Sequence, residues 1–335
     1  MDLNILWFIL VCVLFIGFFF LEGFDYGVGM LTPFAGKTDG ERRVVINSIG
    51  PFWDGNEVWL ITAGGAVFAA FPHWYATLFS GFYLALFVIL LALIARGVSF
   101  EFRSKVASPA WRKLWDWVIC VSSFLPALLW GVAVSNFITG VPIDANMEYA
   151  GTFFTLLTPF TLLGGVVTFL LFLYHGAAFL SLKTGDEAIL ERVGRIGRIS
   201  GAVLVPVTVA WVVFAFLTTG LKSSPVALAA VAVAAVALVL SVVLAWTKHW
   251  GVSFIASAVT IAFVTVTVFA AMFPNVMISS LNPEWSLTIY NASSSPYTLK
   301  IMTIVALCLV PIVLIYQIMN FVIFKKRVTQ DKLEY

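Results

Sequence analysis

Long apolar stretches recur along almost the whole chain, and they constrain its fold more than any other feature. Each is about 20 residues or longer, which is enough for a helix to cross a hydrocarbon core of roughly 30 Å. Nine such segments can be marked, at residues 5–24, 51–72, 74–95, 115–138, 153–181, 199–219, 225–246, 251–274 and 299–324. Because lipid cannot hydrogen-bond to backbone groups, these segments predict an all-α polytopic membrane protein with nine transmembrane helices.

The composition of the chain supports the same class. Apolar residues make up 61% and charged residues 11%, whereas soluble domains have roughly 45–50% and about 25%. The net charge is only +2 and no dense basic patch occurs, which excludes nucleic-acid binding. The first segment lacks the basic start and the cleavage site of a signal peptide, so we expect it to remain as a span. The chain is predicted to be one integral membrane domain over residues 1–335.

Lysine and arginine are distributed unequally between alternate loops. Of the 19 basic residues, 17 lie in the loops after the first, third, fifth and seventh segments or in the C-terminal tail. The remaining loops hold only Lys222 and Lys300. Because positive charge accumulates on the cytoplasmic side, the N-terminus is predicted to lie outside and the C-terminus in the cytoplasm.

Two of the apolar segments end in similar patterns. The first closes with Phe-Phe-Phe-Leu-Glu-Gly at Gly23, and the fifth closes with Phe-Leu-Tyr-His-Gly at Gly176. This echo allows a parallel repeat of residues 1–140 and 150–275. The expected architecture is then two four-helix bundles plus one extra helix at 299–324.

Four carboxyl groups lie where the first span ends and the second begins. Glu22 and Asp25 are three residues apart, as are Asp54 and Glu57, so each pair shares a helix face. With the N-terminus outside, all four gather near the cytoplasmic surface. A carboxyl group in a low-dielectric environment can bind and release protons near neutral pH. These residues are therefore candidates for proton uptake from the cytoplasm.

A structural role for the same acids is a real alternative. Asp54 and Glu57 lie in the first turns of a helix, where negative charge stabilises the helix dipole. Interfacial acids could also simply pair with Arg42 or Arg43. Other charged residues fit such roles as well: Arg96 is predicted to belong to a solvated cytoplasmic loop, as are its neighbours in sequence.

The aromatic and remaining polar residues add little chemistry. Asp116, between two tryptophans, is predicted to anchor a helix at the interface. The three cysteines lie in apolar stretches and are expected to be small buried side chains. The three histidines, at positions 73, 175 and 249, have no partner at metal-ligand spacing. Only His175 could serve as an axial haem ligand, and we expect this chain to bind no haem and no metal.

Two motifs carry a resemblance to a known family. They are Gly-Phe-Asp-Tyr-Gly-Val-Gly-Met-Leu at Gly23–Leu31 and Pro-Phe-Trp-Asp-Gly-Asn-Glu-Val-Trp-Leu-Ile-Thr-Ala-Gly-Gly at Pro51–Gly65. Weaker matches include Glu-Arg-Arg at Glu41–Arg43. The chain resembles subunit II of the cytochrome bd ubiquinol oxidases over nearly its whole length.

The resemblance implies a terminal oxidase of the bacterial inner membrane, which oxidises quinol and reduces oxygen to water. In that family the haem-bearing subunit I holds haem b, haem d and the outer quinol site. Subunit II carries no haem, is built on a similar helix bundle, and some members hold a structural quinone in it. Small single-helix accessory subunits and membrane lipids are the other expected partners.

The resemblance also assigns expected roles to individual residues. Asp54 matches an acid that is proposed to start a proton path, and Asp25 matches the acid of the Gly-Phe-Asp motif. Glu22 and Glu101 stand where an aspartate often occurs. Trp53 and Trp59 are expected to form the wall beside these acids, and Trp59 is a candidate for an apolar oxygen route.

The sequence thus predicts a haem-free subunit that supports subunit I and delivers cytoplasmic protons to it. Such a subunit is part of an oxidoreductase but is not catalytic alone. Two alternatives remain at this point: a secondary transporter, whose acids would however be expected nearer mid-membrane, and a purely structural subunit without a proton path.

Overall fold

The computed structural model describes residues 2–330, and it is almost entirely helical. The α-helices are α1 (Leu3–Ala35), α2 (Asp39–Asn47), α3 (Trp53–Ala70), α4 (Pro72–Gly81), α5 (Tyr83–Phe102), α6 (Pro109–Thr139), α7 (Pro159–Lys183), α8 (Glu187–Thr218), α9 (Pro225–Trp246), α10 (Trp250–Met272) and α11 (Pro296–Ile323). Three short 3₁₀ helices cover Phe153–Leu156, Gly220–Ser223 and Pro283–Trp285, and two strands, β1 (Asn275–Met277) and β2 (Leu287–Thr288), pair antiparallel.

Eight of these helices are long and apolar enough to cross a membrane: α1 and α5 to α11. The helix α3 has 18 residues and is not among these eight, because Asp54, Asn56 and Glu57 in its first turns lower the hydropathy of a helix that has no further apolar length. The predicted segment 74–95 differs in extent from its helix. The helix is interrupted at Phe82, between α4 and α5, and α5 continues to Phe102.

The first helix is also longer than its apolar segment. The segment ends near residue 24, whereas α1 continues to Ala35. Asp25 therefore lies well inside the helix and not at its end. A short helix, α2, follows at once, and it begins with a capping box between Thr38 and Glu41.

Helix α1 packs at the centre of the bundle, against α3, α6, α7 and α10. It crosses α7 at two glycines. A Cβ atom added to Gly27 would lie 2.0 Å from the carbonyl oxygen of Phe172 and 2.7 Å from the Cα atom of Gly176. The two backbones thus approach closely here, because only residues without a side chain admit this approach.

One end of the bundle is closed by the segment that contains β1 and β2. Ser294 donates from its backbone N–H to Ala70 and from its hydroxyl to Ala69, and so satisfies carbonyls at the end of α3. Asn4, at the start of α1, donates to the carbonyl of Ile289 at 2.6 Å. The segment that contains β1 and β2 is therefore a folded cap over this end of the bundle.

The opposite end holds a network of ion pairs. Arg103 contacts Asp116 at 2.6 Å and Asp39 at 2.8 Å, Arg42 contacts Asp116 at 3.1 Å, and Arg112 contacts Asp39 at 2.9 Å. Asp116, predicted from the sequence to be an interfacial anchor, is buried and paired. Arg42, one of the two arginines considered as partners for the acids of the first two spans, pairs with Asp116 instead.

Helix α11 lies on the outside of the bundle, and Leu299 is its buried residue. The segment after α11 returns to the turn between α7 and α8. There the Lys183 ammonium donates to the carbonyl of Phe324, and the N–H of Val328 donates to the carbonyl of Lys183 at 2.7 Å. The last helix is thus held to the bundle by these polar contacts together with ring contacts, such as Phe321 stacked on Phe52 with centroids 4.6 Å apart.

Candidate functional site

Three helices bring five polar side chains into one buried cluster, which we call the acid cluster. Glu22 and Asp25 come from α1, Asn56 and Glu57 from α3, and Arg96 from α5. Four of them are fully buried, and the side chain of Glu57 is 21% exposed. The i, i+3 spacing in α1 and the adjacent positions in α3 place these groups on the faces where the helices meet.

One guanidinium joins two of the acids. Nη2 of Arg96 donates to Oε1 of Glu22 and also to Oε1 of Glu57, the second at 2.5 Å. The Cζ atom of Arg96 lies 4.8 Å from the ring centroid of Tyr26, so the cation also rests on an aromatic face. Charge-assisted hydrogen bonds of this kind are strong in a low-dielectric environment, so Arg96 fixes α1, α3 and α5 to one another.

Asp25 belongs to a second chain of hydrogen bonds, whose other members are the amides of Asn56 and Gln317. Nδ2 of Asn56 donates to Oδ2 of Asp25 at 2.7 Å. The oxygen of the same carboxamide accepts from Nε2 of Gln317 at 2.9 Å. This chain links α1 to α11 through α3.

The acid cluster has fewer cations than carboxyl groups. Glu22, Asp25 and Glu57 share the single guanidinium of Arg96. Within residues 2–330, the second carboxylate oxygens of Glu22 and Asp25 have no hydrogen-bond partner, and neither do Nε and Nη1 of Arg96. Uncompensated charge is costly inside a membrane, so the charge balance of the cluster leaves room for protons on its carboxyl groups.

The other two candidate acids lie outside the cluster. Asp54 is exposed in the first turn of α3, one turn before Glu57, and it has no hydrogen bond or ion pair with the described part of the chain. Glu101 is exposed near the end of α5. The structure thus joins Glu22, Asp25 and Glu57, and leaves Asp54 and Glu101 accessible.

Both candidate tryptophans are half-buried beside the acids. The ring of Trp53 packs against Phe100 with centroids 5.0 Å apart. Trp59 covers Gly17 and lines an apolar cavity of about 520 Å³. Half of the residues that line the cavity are aromatic, namely Phe20, Phe24, Trp59, Phe179, Phe254 and Phe321.

Sequence reasoning missed the residue that connects the acid cluster. Arg96 was expected in a solvated loop because the apolar segment ends at residue 95. It is instead fully buried, since α5 continues for six further residues, to Phe102. The sequence offers one signal: Arg96 is followed by Gly-Val-Ser-Phe, which is too apolar for a solvated loop.

The residues of this chain do not provide a free haem ligand at His175. Its Nδ1 contacts the hydroxyl of Ser257 at 2.7 Å, its Nε2 contacts the carbonyl of Phe20 at 3.2 Å, and its ring stacks on Phe254 at 4.5 Å. Both ring nitrogens are thus engaged. Within residues 2–330, no group of three or more His, Cys, Asp or Glu residues could hold a metal ion.

Comparison with solved structures supports the architecture. A chain in the structure of a bd oxidase from Geobacillus thermodenitrificans aligns with a TM-score of 0.73, over 97% of this chain and 100% of that chain. The sequence identity is only 16%, so this likeness shows the fold alone.

Comparison with known sequences is more specific. The chain is 44% identical to cytochrome bd ubiquinol oxidase subunit 2 of Bacillus subtilis, over 99% of this chain and 98% of that protein. It is 39% identical to cytochrome bd-I ubiquinol oxidase subunit 2 of Escherichia coli K12, over 99% and 97%. The family model for cytochrome bd terminal oxidase subunit II matches residues 3–324. This chain therefore belongs to the cytochrome bd terminal oxidase subunit II family.

Proposed function

We propose that this chain is the haem-free subunit of a quinol-oxidising, oxygen-reducing complex in the bacterial inner membrane. A haem-bearing subunit I, with haem b and haem d, would perform the redox chemistry, so that this chain is not catalytic alone. The engaged ring nitrogens of His175 support the assignment of haem to the partner. Small single-helix subunits and lipids would complete the assembly.

Nine spans, with the N-terminus outside, are part of this proposal. The contacts of α3 support its role as a span in addition to the eight longer helices. Its last carbonyls accept from Ser294 at the end of the bundle where α1 begins. The carbonyl of Pro51, just before its first residue, accepts from Asn320 near the far end of α11. Because Ser294 and Asn320 lie at opposite ends of the bundle, α3 runs from one end to the other.

Proton delivery from the cytoplasm to subunit I is the proposed task of the acids. The observation that carries it is a gradient of burial along carboxyl groups that follow one another inward. Asp54 is exposed, Glu57 one turn later is 21% exposed, and Glu22 is fully buried. Glu57 and Glu22 are joined by one nitrogen of Arg96. A proton taken up at Asp54 thus has a short series of acceptors leading inward.

Each group then has a definite part in the transfer. Arg96 occupies Oε1 of Glu57 and Oε1 of Glu22 and leaves the other oxygen of Glu22 available for the proton. Its positive charge stabilises the carboxylates between transfers. Asp25, held by Asn56, forms a further buried acceptor one turn along α1, and exposed Glu101 would collect protons at the surface.

The apolar cavity beside Trp59 is the proposed place for the apolar ligands of this subunit. Its aromatic wall and volume of about 520 Å³ suit oxygen on its way to the partner. The same wall suits the tail of a structural quinone or a lipid. Trp53, packed on Phe100, would close the wall at the level of the acids.

The test uses the assembled complex in lipid vesicles, with proton uptake and oxygen consumption measured together. Asp54→Asn and Asp25→Asn keep the shape of each side chain but remove the proton-binding oxygen. We expect both rates to fall by 10-fold or more, on the order of the effect of losing a positioned acid–base group. Glu187→Gln, an exposed acid at the start of α8, is the matched control and should keep full activity.

A purely structural subunit is the second candidate function. The clamp of Arg96 on Glu22 and Glu57 specifically favours it, because such a clamp also joins three helices. Full proton uptake in Asp54→Asn and Asp25→Asn complexes that assemble normally would decide for this alternative. Family membership sets aside the secondary transporter.

A further inference from the structure

The outermost helix reaches the acid cluster through one polar side chain. Helix α11 has Leu299 as its buried residue, so most of its length makes few contacts. Gln317 is half-buried, and its Nε2 donates to Oδ1 of Asn56 at 2.9 Å. Among the described residues of α11, Gln317 is the one that forms a hydrogen bond with the acid cluster.

The carboxamide of Asn56 has two different ends, and each faces one neighbour. Its oxygen can only accept, and it faces the NH₂ group of Gln317. Its own NH₂ group can only donate, and it faces Oδ2 of Asp25 at 2.7 Å. Because Asn56 is fully buried, these two neighbours decide its orientation.

We propose that Gln317 is a positioning residue for the proton-transfer site, which keeps Asn56 turned so that it donates to Asp25. The inference rests on the proposed function of the acid cluster. Without the donor at Gln317, the carboxamide of Asn56 can rotate by half a turn and present its oxygen to Asp25. A donor at Asp25 stabilises the carboxylate, whereas an acceptor suits the protonated acid. The last helix thereby influences when Asp25 holds its proton.

Loss of the donor at Gln317 does not alter the charged groups around Asp25. They are Glu22 on the same helix, Glu57 on α3 and Arg96 on α5. Helix α11 contributes the neutral Gln317. A neutral substitution at Gln317 thus alters the hydrogen bonding of Asp25 and leaves the charges around it in place.

The test follows the carboxyl group of Asp25 directly, by infrared difference spectroscopy of the purified complex. The C=O stretching band of this group is the one that Asp25→Asn removes. In Gln317→Met, which has a similar volume but no donor, we expect the band to shift. The midpoint of its pH titration should move to higher pH by about half to one unit, since one hydrogen bond to the carboxylate is lost.

Two further variants make the result specific. Gln317→Glu replaces the donor by an acceptor and adds a negative charge, and since both changes favour the protonated form of Asp25, the band should shift at least as much. Asn320→Leu is the matched control, because it removes an equally short bond of 2.9 Å between α11 and Pro51 without touching Asn56. The band should be unchanged in that variant.

Two outcomes would overturn the proposal. In one, the band and its midpoint in Gln317→Met equal those of the native complex. In the other, Asn320→Leu shifts them as far as Gln317→Met does, which would make the effect one of helix docking. The proposed proton role is tested separately, by proton uptake in Asp25→Asn. If that role fails, the infrared band in Gln317→Met still shows whether Gln317 orients Asn56.

Discussion

At the scale of single residues, the chain uses its few buried charges in two different ways. In the acid cluster, one guanidinium contacts two of three carboxyl groups, and buried oxygens remain without partners. In the network around Asp116, each buried acid is matched by arginines. Complete pairing fits a structural joint, whereas incomplete pairing fits a site that changes its protonation.

Glu41 is the best place to observe a paired acid by its pH dependence. Its carboxylate accepts from the N–H groups of Lys37 and Thr38 and forms an ion pair with Arg192 at 2.7 Å. Burial alone would raise the pKa of Glu41, but the guanidinium and the two N–H donors outweigh it and hold the pKa below its usual range. The stability that Glu41 contributes is thus present at neutral pH and is lost as the pH falls through the folded-state pKa.

We therefore expect Glu41→Gln to lower the stability of the complex by roughly 1 kcal/mol at neutral pH. The gap to the native complex should begin to shrink as the pH falls below about 4.3, where the unfolded carboxyl group takes up its proton first, and it should close as the pH passes below the lower folded-state pKa. Melting temperatures in detergent, measured across this pH range, provide the check. Glu191→Gln, from an exposed pair with Arg195 at 3.6 Å, should show little gap at any pH. An equally large, pH-independent gap in Glu41→Gln would contradict the assigned pairing.

At the scale of elements, the crossing of α1 and α7 determines how closely the bundle packs. Gly27→Ala would place a methyl group 2.0 Å from the carbonyl oxygen of Phe172, so the two backbones must separate. We expect a loss of about 1–3 kcal/mol, as for other overpacked contacts, and a lower yield of assembled complex. Gly251→Ala is the control, because its nearest neighbour would be Leu182 at 3.9 Å. Normal assembly and melting of Gly27→Ala would show that the helices do not need this close approach.

Apolar segments located most helices, because hydrophobicity over about 20 residues is a strong signal. They failed at helix ends. The helix α1 continues past Asp25, and α5 continues past Arg96, since these polar side chains find partners inside the protein and not in water. Pairing between distant positions, such as Gln317 with Asn56, leaves no mark in a single sequence. The candidate acids were therefore identified, while the arginine and the amides that organise them were not.

The proposed repeat of residues 1–140 and 150–275 stays a prediction. Its two echoing helices, α1 and α7, do meet at Gly27 and Gly176. Their polar residues differ in kind, however. Asp25 on α1 faces a donor amide, whereas His175 on α7 is enclosed by Ser257 and a backbone carbonyl. The similarity of α1 and α7 therefore does not extend to these two side chains.

At the scale of the whole molecule, the number of spans and the direction of proton delivery are one question. Nine crossings place the termini on opposite sides, and eight place them on the same side. The loop at 141–150 lies at the end of the bundle where α1 begins, because Val141 pairs with Ser279 and the hydroxyl of Ser279 donates to Ile143. An exposed residue in this loop, Ala145, therefore reports the side of the N-terminal end, and exposed Lys326 reports the C-terminal end.

Cysteine labelling of intact cells measures both ends in the assembled complex. Ala145→Cys and Lys326→Cys are introduced singly after the three native cysteines are replaced by alanine. A membrane-impermeant thiol reagent should label the first and not the second, and permeabilised cells should show both as reactive. Labelling of both in intact cells would reduce the span count to an even number. Labelling of Lys326→Cys alone would show that exposed Asp54 faces the outside. Cytoplasmic proton uptake through the acid cluster would then be impossible.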